Sequence, residues 1–317
     1  MTIIKNHSFD IYLAKPRGFC AGVERAIEVV RKAIKRFKPP VYVRHAIVHN
    51  LYVVKELEKE GAIFVENMEN VPSGSVIIFS AHGVPPSVEK EARERGLIIL
   101  DATCPLVTKV HSAAVMYASM GYSVLLIGHR GHVEVEGTMG EAPDSIVLVE
   151  SPGAAREVEV PDPERVSCIT QTTLSIDDAE EIVNILVRRF PNIRKPGISD
   201  ICYATQNRQN AVKKLCPLCD LIIVIGSQTS SNSNRLREVA EKYGKMPAFL
   251  VEEAEDIESS WLEGVKRIGV TSGASTPEDQ VHAVIEKLKS LGAKRVLEIG
   301  DDIEDTHFVL PAQLRDQ

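Results

Sequence analysis

Three cysteines stand where a chain would place ligands. Cys20 lies in Lys15-Pro16-Arg17-Gly18-Phe19-Cys20-Ala21-Gly22-Val23, between a short extended run at 11–14 and a strongly periodic helix. The flanking glycines let the backbone turn sharply or come close to a ligand. Cys104, in Asp101-Ala102-Thr103-Cys104-Pro105, follows the apolar run 97–100 and leads into a second helix; Cys202, in Asp200-Ile201-Cys202-Tyr203, leads into a third. Three thiolates with a histidine as fourth ligand suit zinc. They also suit an iron–sulfur cluster, which normally takes four cysteines and with three keeps one iron open. The competing structural reading is three buried thiols, because free cysteine is among the most buried residue types. The repeated strand–Cys–helix placement favours a shared metal.

The remaining cysteines read differently. Cys216-Pro217-Leu218-Cys219 falls where a helix ends and a strand begins, whereas a thioredoxin-type pair opens a helix after a strand, so it reads as structural. Cys168 lies within a strand and reads as core.

Of the nine histidines, His49, His82 and His132 occupy strand ends. Each alone reads as a loop hydrogen-bonder; together they are suited to donate to a phosphate or diphosphate. The stretch Gly131-His132-Val133-Glu134-Val135-Glu136-Gly137 is the expected proton-handling segment. In an extended conformation His132 and Glu134, two apart, share a face. Near a metal centre and a bound anion, Glu134 would hold a raised pKa and serve as general acid, while Glu136 reads as a solvated carboxylate. Ser230-Ser231-Asn232-Ser233-Asn234 sits between a buried strand and a helix expected at 235–242. Hydroxyls, a carboxamide and free helix-start N–H groups make a neutral anion cradle; an N-cap explains one such residue but not five. Ser275, before Thr276-Pro277, has the same double reading, and the acidic run 252–258 reads as a solvated face.

These residues need a frame that brings strand ends together. Val23, Ala26, Ile27, Val30, Ile34 and Phe37 follow helical spacing, stopped by Pro39-Pro40. Strands are expected at 41–47, 75–80, 97–100, 122–128, 145–149, 165–170, 220–226 and 267–270, alternating with helices that include one capped by Ser175 with Asp178 as its box partner. The Pro-containing stretches near 151–163 and 191–197 read as loops or a unit boundary. Such alternation means a parallel α/β architecture, and open parallel sheets bind ligands beyond their C-terminal strand ends. His49, His82, Cys104, His132, Thr172, Ser230 to Asn234 and Ser275 all fall there. If the units meet edge to edge, they face one central cavity.

The chain has 317 residues, enough for two or three units, and carries a net charge of −7 from 37 basic and 44 acidic residues. That balance argues against a general nucleic-acid or anionic-membrane surface. The first ten residues lack a signal-peptide pattern and no run approaches 18 apolar residues, so a cytoplasmic chain with reduced cysteines is expected.

Read together, Gly18-Phe19-Cys20-Ala21-Gly22-Val23, Ile47-Val48-His49-Asn50, Ser80-Ala81-His82-Gly83-Val84, Asp101-Ala102-Thr103-Cys104-Pro105 and Gly131-His132-Val133-Glu134 resemble the hydroxymethylbutenyl diphosphate reductase (LytB/IspH) family. So do Gln171-Thr172-Thr173-Leu174-Ser175, Cys202-Tyr203-Ala204-Thr205, Ser230-Ser231-Asn232-Ser233-Asn234 and Gly273-Ala274-Ser275, in order along nearly the whole chain. The resemblance implies reductive removal of a hydroxyl from hydroxymethylbutenyl diphosphate, giving isopentenyl and dimethylallyl diphosphate at the end of the non-mevalonate isoprenoid pathway. It implies a [4Fe-4S] cluster on Cys20, Cys104 and Cys202, with its open iron on the substrate hydroxyl. His49, His82, His132, Ser230, Ser231, Asn232 and Ser275, with Thr172 nearby, would bind the substrate, and Glu134 with Thr172 would deliver protons. It also implies electrons from ferredoxin or flavodoxin, and three similar α/β units with mostly parallel sheets around a central cluster. These units are expected at 14–103, 104–198 and 199–300, the last joined by the N-terminal strand 1–13, with 301–317 as a C-terminal tail. Two rivals stand beside this reading. One is a zinc deaminase-like hydrolase using His132-Val133-Glu134 and Cys216/Cys219, although Leu215 stands where that motif needs proline. The other is a non-enzymatic iron–sulfur redox sensor.

Overall fold

Apolar runs and amphipathic stretches resolve into alternating strands and helices in a computed structural model that describes residues 8–195, 200–300 and 304–315. The parts of the expected N-terminal strand at 1–7, of the unit boundary at 196–199 and of the tail at 301–303 and 316–317 lie outside the described residues. In chain order the elements are β1 (Phe9–Ala14), α1 (Ala21–Phe37), β2 (Val41–Arg44), α2 (Leu51–Glu60), β3 (Ala62–Val65), β4 (Val76–Phe79), α3 (Pro86–Glu94) and β5 (Ile98–Asp101). Then come α4 (Pro105–Ser119), β6 (Ser123–Ile127), α5 (Val133–Glu141), β7 (Ile146–Val149), α6 (Pro152–Glu157), β8 (Val166–Thr170) and α7 (Ile176–Arg189). The remainder is α8 (Tyr203–Leu215), β9 (Leu221–Ile225), α9 (Ser231–Lys242), β10 (Ala248–Val251), β11 (Arg267–Ser272), α10 (Glu278–Ser290) and β12 (Ala293–Ile299).

The strands form three sheets, ordered β10-β9-β11-β1-β12, β3-β2-β4-β5 and β7-β6-β8. Every pairing between neighbouring strands is parallel. By contacts the chain divides into two compact units. One, from residues 1–20, 49–51 and 203–306, holds the five-stranded sheet. Its β9 shows why a central strand reads as unbroken apolar sequence. Leu221, Ile223 and Ile225 pack with Ile11, Val270, Val281 and Leu288. The intervening Ile222 and Val224 pack with Val212, Leu215, Leu236 and Val239. Both faces are covered by helices, as parallel sheets require.

The other unit, from residues 21–48, 52–202 and 307–317, holds the two smaller sheets. In β6, Leu125 and Ile127 pack against Ile182 and Leu186 of α7, while Val124 and Leu126 pack against Val110 and Ala114 of α4. No helix among the described residues is long and apolar enough to cross a membrane.

Four local expectations change. Residues 152–157 form α6 rather than loop, because the Ser151 hydroxyl accepts from Ala154 N and Pro152 starts the helix. Helix α9 begins at Ser231, not Arg235, because Ser230 caps it. No described strand directly precedes Cys202: after α7 only Arg194 pairs, in a single bridge to Ser167. Strands β3, β10 and β12 are additional to the strands expected, and all three are sheet edges.

Leu125 is fully buried in the central strand of the three-stranded sheet. Leu125→Ala is expected to cost about 3 kcal/mol through the cavity it leaves, seen as a lower urea midpoint with little change in slope.

Candidate active site

The chemistry of the second unit centres on a carboxyl taken out of water. Glu134 is 2% exposed in the first turn of α5. The expected extended stretch is therefore helical here, and the physical reason is the cap: His132 precedes the helix and its Nδ1 accepts the Glu134 N–H at 3.2 Å. In a neutral imidazole whose Nδ1 accepts, the ring proton sits on Nε2, the atom suited to meet an anion. Thr172, two residues past β8, donates its N–H to Glu134 Oε1 at 2.6 Å and its hydroxyl to Oε2 at 2.9 Å. Those bonds favour the carboxylate, but burial outweighs them and pushes the Glu134 pKa up to about 7. The raised pKa thus comes from burial, with no metal or anion needed. His82 meets the His132 ring edge-on at 6.0 Å, and its Nδ1 lies 3.2 Å from the Ser80 hydroxyl.

Cys20, Cys104 and Cys202 each immediately precede a helix, α1, α4 and α8 respectively. Each anchors its backbone N–H to a carbonyl in a strand-end loop: Cys20 to Ala274 O at 3.1 Å, Cys104 to Ala81 O at 2.9 Å and Cys202 to Thr172 O at 3.0 Å. None of the three is in a disulfide, and all are half-buried. A helix start stabilises negative charge placed against it. Cys168, Cys216 and Cys219 are instead buried. Burial raises the Cys168 and Cys216 thiols above their ordinary range and pushes Cys219 up to about 12, which opposes thiolate formation. Cys216 and Cys219 fill an apolar cluster with Leu215 and Val212, which removes them as metal ligands in a deaminase-like reading. Among the described residues no three His, Cys, Asp or Glu side chains crowd together as ligands of one ion would.

In the first unit, Ser230, Asn232, Ser275 and His49 follow strand ends. Ser230 is spent partly as a cap: its oxygen accepts from Ser233 N at 3.3 Å and from the Ser233 hydroxyl at 3.0 Å. Ser231 opens α9, so the helix-start N–H groups face the same end. The Ser275 hydroxyl donates to His49 O at 3.1 Å. Asn232 is 5% exposed, yet both its amide nitrogen and its oxygen are buried with no hydrogen-bond partner among the described residues. A buried carboxamide left with both ends open is costly unless a ligand satisfies it.

Two site residues were missed as individuals. Gln171 donates to the Thr173 hydroxyl at 2.8 Å and accepts from His129 N at 3.1 Å, bracing the loop that carries Thr172. His111, on α4, is buried, with Nδ1 at 2.8 Å from Glu141 and its pKa lowered by burial against the pull of that carboxylate. A side chain added at Gly83 would stand 2.9 Å from His111 Cε1, and one at Gly137 3.3 Å from it. The ring thus fills the space between the His82 loop and the helix of Glu134. The signal for both was adjacency: Gln171 neighbours Thr172, and His111 lies on the buried face of α4.

Helix-start thiols, a buried carboxamide without a hydrogen-bond partner among the described residues and a buried acid, carried on a parallel-sheet frame, define an α/β enzyme. The model of the LytB protein family matches residues 11–289, and the chain belongs to that family. It is 56% identical over 305 residues to 4-hydroxy-3-methylbut-2-enyl diphosphate reductase 2 of Burkholderia mallei, covering 96% of this chain and 93% of the relative. It is 52% identical over 310 residues to the reductase of the same name from Pseudomonas aeruginosa, covering 96% and 98%. The solved structure of E-1-hydroxy-2-methyl-but-2-enyl-4-diphosphate reductase from Plasmodium falciparum superimposes with a TM-score of 0.92 at 42% identity, covering 97% of both chains.

Glu134 also makes stability depend on pH. Its native pKa lies above that of an unfolded carboxyl, so its contribution is full below the ordinary carboxylate range and is lost as pH rises toward about 7. The decline is expected to be about 3 kcal/mol. Unfolding of the wild-type chain and of Glu134→Gln at several pH values should show a flatter profile in the variant.

Proposed function

We propose that this chain is a 4-hydroxy-3-methylbut-2-enyl diphosphate reductase that forms isopentenyl and dimethylallyl diphosphate at the end of the non-mevalonate pathway. The observation that carries this reading is one hydrogen-bonded chain: Glu134 to Thr172, whose carbonyl in turn holds the Cys202 N–H. It ties a protonatable acid to the loop of a candidate ligand.

The conversion expels the substrate hydroxyl as water and consumes two electrons and two protons. Cys20, Cys104 and Cys202 fit an iron–sulfur cluster: they are soft donors, half-buried and at helix starts, whereas the other three thiols are buried in the core. Cysteines on a cluster hold different irons, so they need not crowd as ligands of one ion do. When bound, a [4Fe-4S] cluster on these three, with one iron lacking a protein ligand, supplies electrons and a Lewis-acidic centre. Its electrons come from a ferredoxin or flavodoxin in the cytoplasm.

The protein's own groups bind the substrate and move protons. His49, Ser230, Ser231, Asn232 and Ser275 offer neutral donors to the diphosphate, joined by His82 and His132. Asn232 gains the partners its amide lacks. Glu134, with its pKa near 7, is protonated in a useful fraction and can release that proton at neutral pH. Its 2.9 Å bond to Thr172 Oγ1 lets a proton pass through the hydroxyl, which both donates and accepts. The first proton makes water the leaving group; the second goes to either end of the allylic fragment, giving two products.

Anaerobically reconstituted protein is expected to contain iron and sulfide; stoichiometric zinc without iron would overturn the cluster. Glu134→Gln should keep iron, sulfide and KM while kcat falls by about 10²–10⁴, the usual worth of a positioned acid. Cys20→Ser should abolish turnover and Cys216→Ser should not; equal damage from both would refute the division of the cysteines.

A further inference from the structure

Arg208 is the largest fully buried side chain whose charge the proposed reaction does not use. It is 0% exposed, on α8. An arginine wholly out of water needs every donor satisfied, and here its partners are specific. Nε and Nη2 donate to Gly18 O at 3.2 and 2.8 Å, and Nη2 also reaches Phe19 O at 3.4 Å. Nη1 donates to Ala204 O at 2.9 Å. Nη1 and Nη2 fork onto the Glu304 carboxylate at 3.0 to 3.2 Å. Asn207 donates to the same carboxylate at 3.0 Å.

The carbonyls held are not arbitrary. Gly18 and Phe19 are the two residues before Cys20, and Ala204 lies two residues after Cys202. One guanidinium therefore fixes the backbone beside two of the three proposed ligands, and a carboxylate from the C-terminal segment holds that guanidinium in place. A core arginine serving helix packing alone would satisfy itself within its own helix and a neighbouring side chain. This one spends three of its bonds on a loop some 190 positions away in sequence.

We infer that Arg208, clamped by Glu304, is a positioning residue for Cys20 and Cys202. The inference rests on the reading of those cysteines as cluster ligands. Arg208 touches neither substrate nor reacting atoms. Its planar fork holds the loop of Cys20 against the first turn of the helix that Cys202 precedes, a task that the single ammonium of lysine cannot perform. Residues that orient metal ligands from behind typically carry a 10–100-fold effect on metal retention or activity.

The test uses the full-length chain reconstituted anaerobically with iron and sulfide, as wild type, Arg208→Lys and Glu304→Gln. Three properties are read: iron and sulfide content, the rate of iron loss to a chelator, and the electron paramagnetic resonance spectrum of the reduced cluster. Both variants are expected to load, to lose iron roughly tenfold faster than wild type and to give an altered spectrum. Wild-type release rate and spectrum in both variants would overturn the inference, even if their thermal unfolding is lowered, because Arg208 would then be a packing residue only. If Arg208→Lys fails to fold, Glu304→Gln decides alone, since it leaves the arginine in place. Failure of the wild-type chain to load any iron and sulfide is a different result: it overturns the cluster reading itself.

Discussion

Parallel pairing is the constraint on which everything else depends. Each strand must be followed by a return connection before the next can align with it. Within a sheet, all C-terminal strand ends then fall on one edge, and the helices that follow begin there. That edge collects three things at once: loops free to carry polar residues, unpaired helix-start N–H groups and the positive ends of helix dipoles. Cys104 after β5, Thr172 after β8 and Ser230 after β9 all occupy such positions. No separate device is needed to make these edges receptive to negative charge; the strand direction does it.

Burial then sorts chemically similar groups into opposite roles. The same removal from water that raises the Glu134 pKa to about 7 leaves Cys219 a protonated thiol. For the carboxyl, two bonds from Thr172 temper the effect and keep the proton exchangeable. For Cys216 a backbone hydrogen bond and for Cys219 the charge of Arg267 pull the other way, but burial outweighs both. Half-exposure at a helix start, rather than motif spacing, distinguishes the three candidate ligands from the other three cysteines.

Much of this was legible in the residues. Central strands such as β9 announce themselves because both faces are covered, so every position is apolar. Some edge strands do not. In β12, Lys294, Arg295, Leu297 and Glu298 are exposed, and the pairing to β1 rests on backbone bonds that leave no side-chain pattern. Candidate residues could be named by type and place, but not their geometry: the His132 ring capping α5 turned an expected extended stretch into a helix. Arg208 did carry a signal, since it falls four residues after Ala204 and four before Val212, on the apolar face of its helix. A charge in that position asks for partners, and only the folded chain names them.

The His111 ring ties two parts of the chemistry into one mechanical piece. It is pinned at Nδ1 by Glu141 and pressed against the backbones of Gly83 and Gly137. The loop bearing His82 and the helix bearing Glu134 therefore share a spacer of fixed thickness. Neither can slide toward the other without displacing an imidazole, and neither can retreat without opening a void. The spacing between the His82 loop and the buried Glu134 carboxyl is thereby built into the packing of one ring.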